Sequence, residues 1–157
     1  MKDFTKTEEE LFEKKLVAIF RGVPLEKSMK VAKALYDGGI RFFEICLDQS
    51  QPDPISGFEA QFKLVKAAVG EDAHIGAGTV LTVEEVERIA EIGGEMIVSP
   101  VTNISVIKRT KELGLLSTPG AQTPTEIESA YANGADIVKL YVVEDPHFVQ
   151  MIKGPLG

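Results

Sequence analysis

The feature that most limits what this 157-residue chain can fold into is a repeat of type: a short apolar run, then a segment of helical spacing, then a glycine or asparagine-glycine stop, six times over. The apolar runs are LVAIF (16–20), RFFEI (41–45), AHIGAG (73–78), EMIVS (95–99), LLST (115–118) and DIVKLY (136–141). Helical segments follow at Leu25 to Tyr36, Phe58 to Val69, from Thr82 to the Gly93-Gly94 stop, Ile104 to Leu113, from Thr123 to Asn133, and Pro146 to Lys153. Thr7 with Glu10, and Thr82 with Glu85, have the spacing of capping boxes, and Thr123-Pro124 with Glu126 combines a cap with proline at the first helical position. No hairpin signal joins any two of the runs. Strands that alternate with helices in this way form a parallel sheet covered by helices, either a doubly wound open sheet or a (β/α) barrel. The dinucleotide fingerprint of the first is missing, because Gly76-Ala77-Gly78-Thr79 lacks its third glycine.

Composition narrows the function classes. The content is 44% hydrophobic and 26% charged, that of one ordinary globular domain, expected over 1–157. A net charge of −7 argues against nucleic acid or an anionic membrane as partner, but allows an anionic small molecule where a few cations converge. The lone cysteine, Cys46, is read as a small buried hydrophobe in a reducing, cytoplasmic setting. The two histidines, His74 and His147, stand far apart and near no cysteine, so neither a metal nor another cofactor is expected.

The chemistry-bearing residues fall at the carboxyl ends of the strands, where (β/α) barrels carry their active groups. Arg21 follows the first run, Glu44 lies in the second, Thr79 follows the third, Ser99 and Pro100 close the fourth, Thr118 closes the fifth, and Lys139 sits in the sixth. A lysine among Ile137, Val138, Leu140, Val142 and Val143 has two plain explanations: edge protection, or an apolar stem that carries its charge to water. Glu44, between Phe43 and Ile45, is costly unless it is paired or faces a solvated cavity, and a structural ion pair with Lys139 is one outcome. The other is a shared pocket. There an uncharged lysine amine attacks a carbonyl, the protonated imine draws electrons from the adjacent carbon, and one carboxyl group moves the protons that C–C cleavage needs. Apolar neighbours and Arg21 favour the uncharged amine, whereas an ionised Glu44 opposes it.

Six blocks, VAIFRG, GGIRFFEI, IGAGTVLT, MIVSP, STPGAQTPTEIESAYANGADIVKLY and IKGPLG, resemble in order and spacing the 2-keto-3-deoxy-6-phosphogluconate and 4-hydroxy-2-oxoglutarate aldolases, the class I enzymes of Entner-Doudoroff type. The resemblance runs from Leu16 to Gly157. It implies a (β/α)8 TIM barrel, a homotrimer, and cleavage of a 2-keto acid to pyruvate and an aldehyde (glyceraldehyde 3-phosphate or glyoxylate) through a lysine Schiff base, with no cofactor. By that resemblance Lys139 is the imine-forming lysine and Glu44 the general acid/base. Thr79, Pro100 and Tyr141 lie near the pyruvate moiety.

Three departures bear on it. Asp48 stands where many members carry a carboxylate-binding arginine, a role that passes to Arg21; Val142 stands where a proline is frequent; and relatives continue past the KGP block with two more βα units, one bearing a phosphate-binding Thr-Gly-Gly segment. The expectation is therefore a barrel truncated to about six βα units, with the 6-phosphogluconate-derived, 6-phosphogalactonate-derived and unphosphorylated keto acids left unresolved. A related barrel lyase or isomerase, or a catalytically silent α/β module, are the alternatives.

Overall fold

The computed structural model describes residues 4–143 and 145–156. Five parallel strands, β1 (Val17–Phe20), β2 (Phe42–Cys46), β3 (His74–Gly78), β4 (Met96–Val98) and β5 (Leu116–Thr118), lie side by side in the order in which they occur in the chain. A doubly wound sheet reverses its order at a switch point, and this one does not. Two further short strands, β6 (Gly120–Ala121) and β7 (Lys139–Leu140), make a separate parallel pair. Sequence reading expected a single fifth strand at 115–118 and placed Lys139 on a sixth. In the fold Pro119, which has no N–H to donate, separates β5 from β6, and Lys139 opens β7 with its N–H donating to the Pro119 carbonyl at 2.9 Å. Counting β5 and β6 as one broken strand gives six βα units.

Helix α1 (Phe4–Lys14) precedes the first strand, and α2 (Leu25–Asp37), α3 (Pro54–Ala68), α4 (Val83–Ile92), α5 (Ile104–Glu112), α6 (Pro124–Ala132) and α7 (Pro146–Leu156) each follow a strand. The capping boxes at Thr82/Glu85 and Thr123/Glu126 are both formed, each threonine accepting from the glutamate N–H and each glutamate reaching back to the cap. Two expectations give way. Thr7 does not open α1 but lies buried inside it, because helical backbone already covers Phe4. Helix α3 starts four residues before Phe58: Asp53 accepts from Ile55 N–H, Pro54 occupies the first turn, and Gly57 is tolerated within it. Among the described residues no helix is long and apolar enough to cross a membrane, and no group of three or more His, Cys, Asp or Glu is placed to hold a metal.

Strand alternation sorts the core into two parts. Phe43 and Ile45 point to the helices and pack with Phe20, Phe58, Val65 and Ile89. Phe42 points the other way, into the concave side, where it joins Met96, Val98, Leu116 and Leu11 of α1. Glu44, two residues on from Phe42, shares that concave side.

At the amino end of β3, His74 ties α1 to the sheet. Its Nδ1 lies 2.7 Å from a Glu95 oxygen and its Nε2 2.9 Å from a Glu10 oxygen, and Phe42 stacks on the ring at 4.7 Å. Both nitrogens donate only in the imidazolium, and Glu95 foremost, with Glu10, raises the His74 pKa against the opposing effect of burial. The folded pKa is thus above the unfolded value of about 6.5, so the linked stability is fully present below about pH 6.5 and is lost as pH rises through the raised folded pKa. Urea midpoints measured across that window should fall for the parent protein by an amount equivalent to about 1 kcal/mol and stay level for His74→Gln. Parallel pH profiles for the two proteins would show that the contact carries no linked charge.

Candidate active site

The site is built at the carboxyl ends of the strands, and register decides its floor. Ile19, Glu44 and Gly76 are aligned across β1, β2 and β3, and Cys46 is aligned with Gly78. The Glu44 side chain runs along the sheet over Gly78 and is 3% exposed. A Cβ on residue 78 would stand 2.1 Å from Glu44 Oε1, so the glycine is the slot that receives the carboxylate. Gly78→Ala is therefore expected to expel Glu44 and to destabilise the fold by about 1–3 kcal/mol, the usual cost of overpacking. Thermal unfolding reads the second effect, and a crystal structure of the variant with Glu44 unmoved would refute the first.

Lys139 Nζ lies 3.9 Å from Glu44 Oε2, at the outer limit of an ion pair, and the Lys139 side chain is 30% exposed. A pair at that length, with one member open to solvent, is poorly made for structural work. The Tyr141 ring sits 5.6 Å from Nζ, within cation–π range. Arg21, Thr79, Pro100, Glu44, Lys139 and Tyr141 all line one cleft of about 40 Å³, together with Val98 and Ser99. Of the candidate residues named from the sequence, all but Thr118 thus line one cleft, although they come from five separate segments of the chain.

Local chemistry holds them there. Thr79 adopts φ +63, a left-handed conformation uncommon for a non-glycine residue, and Arg21 Nη2 reaches its hydroxyl at 3.4 Å. The Gln49 amide donates to the Thr79 carbonyl at 2.9 Å and to Glu85 Oε1 at 2.8 Å, so the same glutamate that caps α4 also secures this turn. Sequence reading did not single out Gln49, since nothing local marks it. Gly120 brings β6 against Pro100, whose carbonyl a Cβ there would meet at 2.5 Å. Val142, where a proline was expected from the resemblance, takes φ +63, and its carbonyl accepts from the Gln122 amide at 3.1 Å.

Asp48 turns away from the cleft and accepts from Ser50 N–H and hydroxyl and from the Gln51 amide, leaving Arg21 as the cleft's guanidinium. Cys46 is not the fully buried hydrophobe expected. It is partly exposed beside the cleft, with Sγ 3.5 Å from Glu44 Oε1, and burial foremost, with the Glu44 charge adding, pushes its thiol pKa up.

The family model for KDPG and KHG aldolases matches residues 7–157. The chain belongs to the KDPG and KHG aldolase family. Among curated relatives of this aldolase family, a probable 2-dehydro-3-deoxy-6-phosphogalactonate aldolase of Rhizobium meliloti (strain 1021) is 40% identical over 129 residues, covering 82% of this chain and 58% of its own. The 2-dehydro-3-deoxy-6-phosphogalactonate aldolase of Escherichia coli (strain K12) is 32% identical over 143 residues, covering 90% of this chain and 67% of its own. The chain thus spans about three fifths to two thirds of the length of these two relatives. A solved structure described as native KDPGal matches with a TM-score of 0.76 at 30% identity, over 90% of this chain and 66% of the other. The fold of this aldolase-family chain is accordingly of the (β/α) TIM-barrel class, with the described residues forming an arc of six βα units.

Proposed function

We propose that the protein acts as a class I aldolase, cleaving a 2-keto-3-deoxy sugar acid to pyruvate and an aldehyde. One observation carries the reading: a lysine with apolar neighbours and a buried carboxylate share a cleft with a single guanidinium. In this scheme Lys139 attacks the keto carbon, and loss of water from the carbinolamine gives the protonated imine. Glu44 takes the proton of the hydroxyl two carbons away, the C–C bond breaks with its electrons drawn into the imine, and the aldehyde leaves. The enamine is then protonated at carbon and hydrolysed to pyruvate and free Lys139. Arg21 pairs with the substrate carboxylate, held by its contact with Thr79, while Pro100 and Tyr141 shape the wall beside the pyruvate carbon chain.

The names of the two relatives favour the 6-phosphogalactonate-derived keto acid over the 6-phosphogluconate-derived one and 4-hydroxy-2-oxoglutarate. The family reading brings with it a cytoplasmic homotrimer. The test is pyruvate release from each of the three keto acids under equal conditions. We expect kcat/KM to favour the galactonate-derived acid by roughly tenfold, about 1.4 kcal/mol of transition-state binding. A preference for either of the others would overturn the substrate assignment, and release from none would overturn the aldolase reading.

A further inference from the structure

Glu44, Lys139 and Val98 do not only floor the catalytic cleft; on their other side they border a second cavity of about 420 Å³ within the concave face. Its remaining walls are mostly apolar, among them Met96, Ile137 and Ile19, and the half-exposed Ile19 stands on its open side. Two further polar residues line it, the exposed Lys15 and the buried Thr118. Thr118, at the end of β5 in register with Val98, is 9% exposed, and its Oγ1 is buried without a hydrogen-bond partner among the described residues. A buried hydroxyl left unpaired costs free energy comparable to a lost hydrogen bond, and an aliphatic residue of the same shape would avoid that cost.

We propose that the Thr118 hydroxyl is a further residue of the reaction: it holds, against Glu44 and Lys139, the water that hydrolyses the imine. This rests on the aldolase reading. The keto acid occupies the cleft side with Arg21, and the water arrives from the opposite, inner side. Its oxygen bonds to the imine carbon as the C=N π pair moves to nitrogen, and Glu44 takes one of its protons. Collapse of the carbinolamine then forms C=O and breaks C–N, Glu44 returning its proton to the Lys139 nitrogen and accepting the proton of the carbinolamine hydroxyl. Dehydration on the forward path is the reverse, and deposits a water in the same place.

Exchange of the pyruvate carbonyl oxygen with ¹⁸O-labelled water requires this hydrolysis, whereas exchange of the pyruvate methyl protons also reports proton transfer within the imine. Thr118→Val should keep its fold and slow oxygen exchange by roughly tenfold, the scale of one lost hydrogen bond, so that methyl exchange gains relative to oxygen exchange; Thr118→Ser should restore the parental ratio. A high-resolution crystal structure should place a water within hydrogen-bond distance of both Thr118 Oγ1 and Glu44. An unchanged ratio in Thr118→Val, or a dry hydroxyl in that structure, overturns the role of Thr118 while leaving the aldolase reading intact. A parent protein that exchanges neither oxygen nor methyl protons overturns both.

Discussion

Pyruvate and borohydride together are expected to modify Lys139 covalently and no other lysine of the chain. Reduction traps an imine only where an uncharged amine meets the keto carbon, and selectivity comes from placement. Lys33, Lys63 and Lys66 are solvated and ion-paired with carboxylates on the outer helices, and Lys111 pairs with Asp136. Lys139 instead reaches the cleft from β7, with the cation of Arg21 and the ring of Tyr141 on the same walls. Lys139→Met should abolish labelling and lower aldol cleavage by roughly 10⁴-fold or more, the scale on which covalent catalysis fails when its nucleophile is removed. Peptide mapping by mass spectrometry decides it. Label on a different lysine, or no label on a folded sample, would end the imine mechanism and return Lys139 to the role of a partly solvated edge residue.

Glu44→Gln carries the second large effect and separates catalysis from structure. The substitution keeps the shape that fills the slot over Gly78 but removes the group that exchanges protons. Proton exchange at the pyruvate methyl should slow by roughly 10²- to 10⁴-fold, the range for loss of a general base, while the urea midpoint changes little. The small stability effect follows from geometry: the ion pair is long at 3.9 Å, and Lys139 retains access to water once its partner is neutral. A structural pair would behave the other way. A sharply lowered urea midpoint for the variant would identify the pair as a fold-stabilising contact, and methyl exchange at the parental rate in a folded variant would exclude Glu44 as the base.

Much of this arrangement was legible in the sequence, because much of it is local. A capping box needs only a threonine and a glutamate three residues apart, so the starts of α4 and α6 could be read directly. Alternation along FFEIC puts Phe43 and Ile45 on one face and Glu44 on the other with no knowledge of neighbouring strands. The parallel α/β class followed from six apolar runs separated by helices, and the ordered blocks of the resemblance directed attention to Arg21, Glu44, Thr79, Pro100, Lys139 and Tyr141. Where reading by pattern failed, a second local signal competed: Asp53-Pro54 outweighed Gly57 at the start of α3, and the helical backbone from Phe4 overrode the box at Thr7.

The tertiary structure alone decided what lies between those residues. Sheet register set Gly78 beside β2, and only then does the missing side chain become a slot for a carboxylate. The break at Pro119 turned the fifth strand into two and brought β7 against β6, which places Lys139 at its distance from Glu44. Thr118 looked like one more strand-end threonine until the fold closed around its hydroxyl and left it facing the inner side of that pair. The physical reason is common to all three. Helix caps and strand faces depend on neighbours within a few residues, whereas a site assembled from five segments depends on the stagger and twist of the sheet, which no single segment encodes.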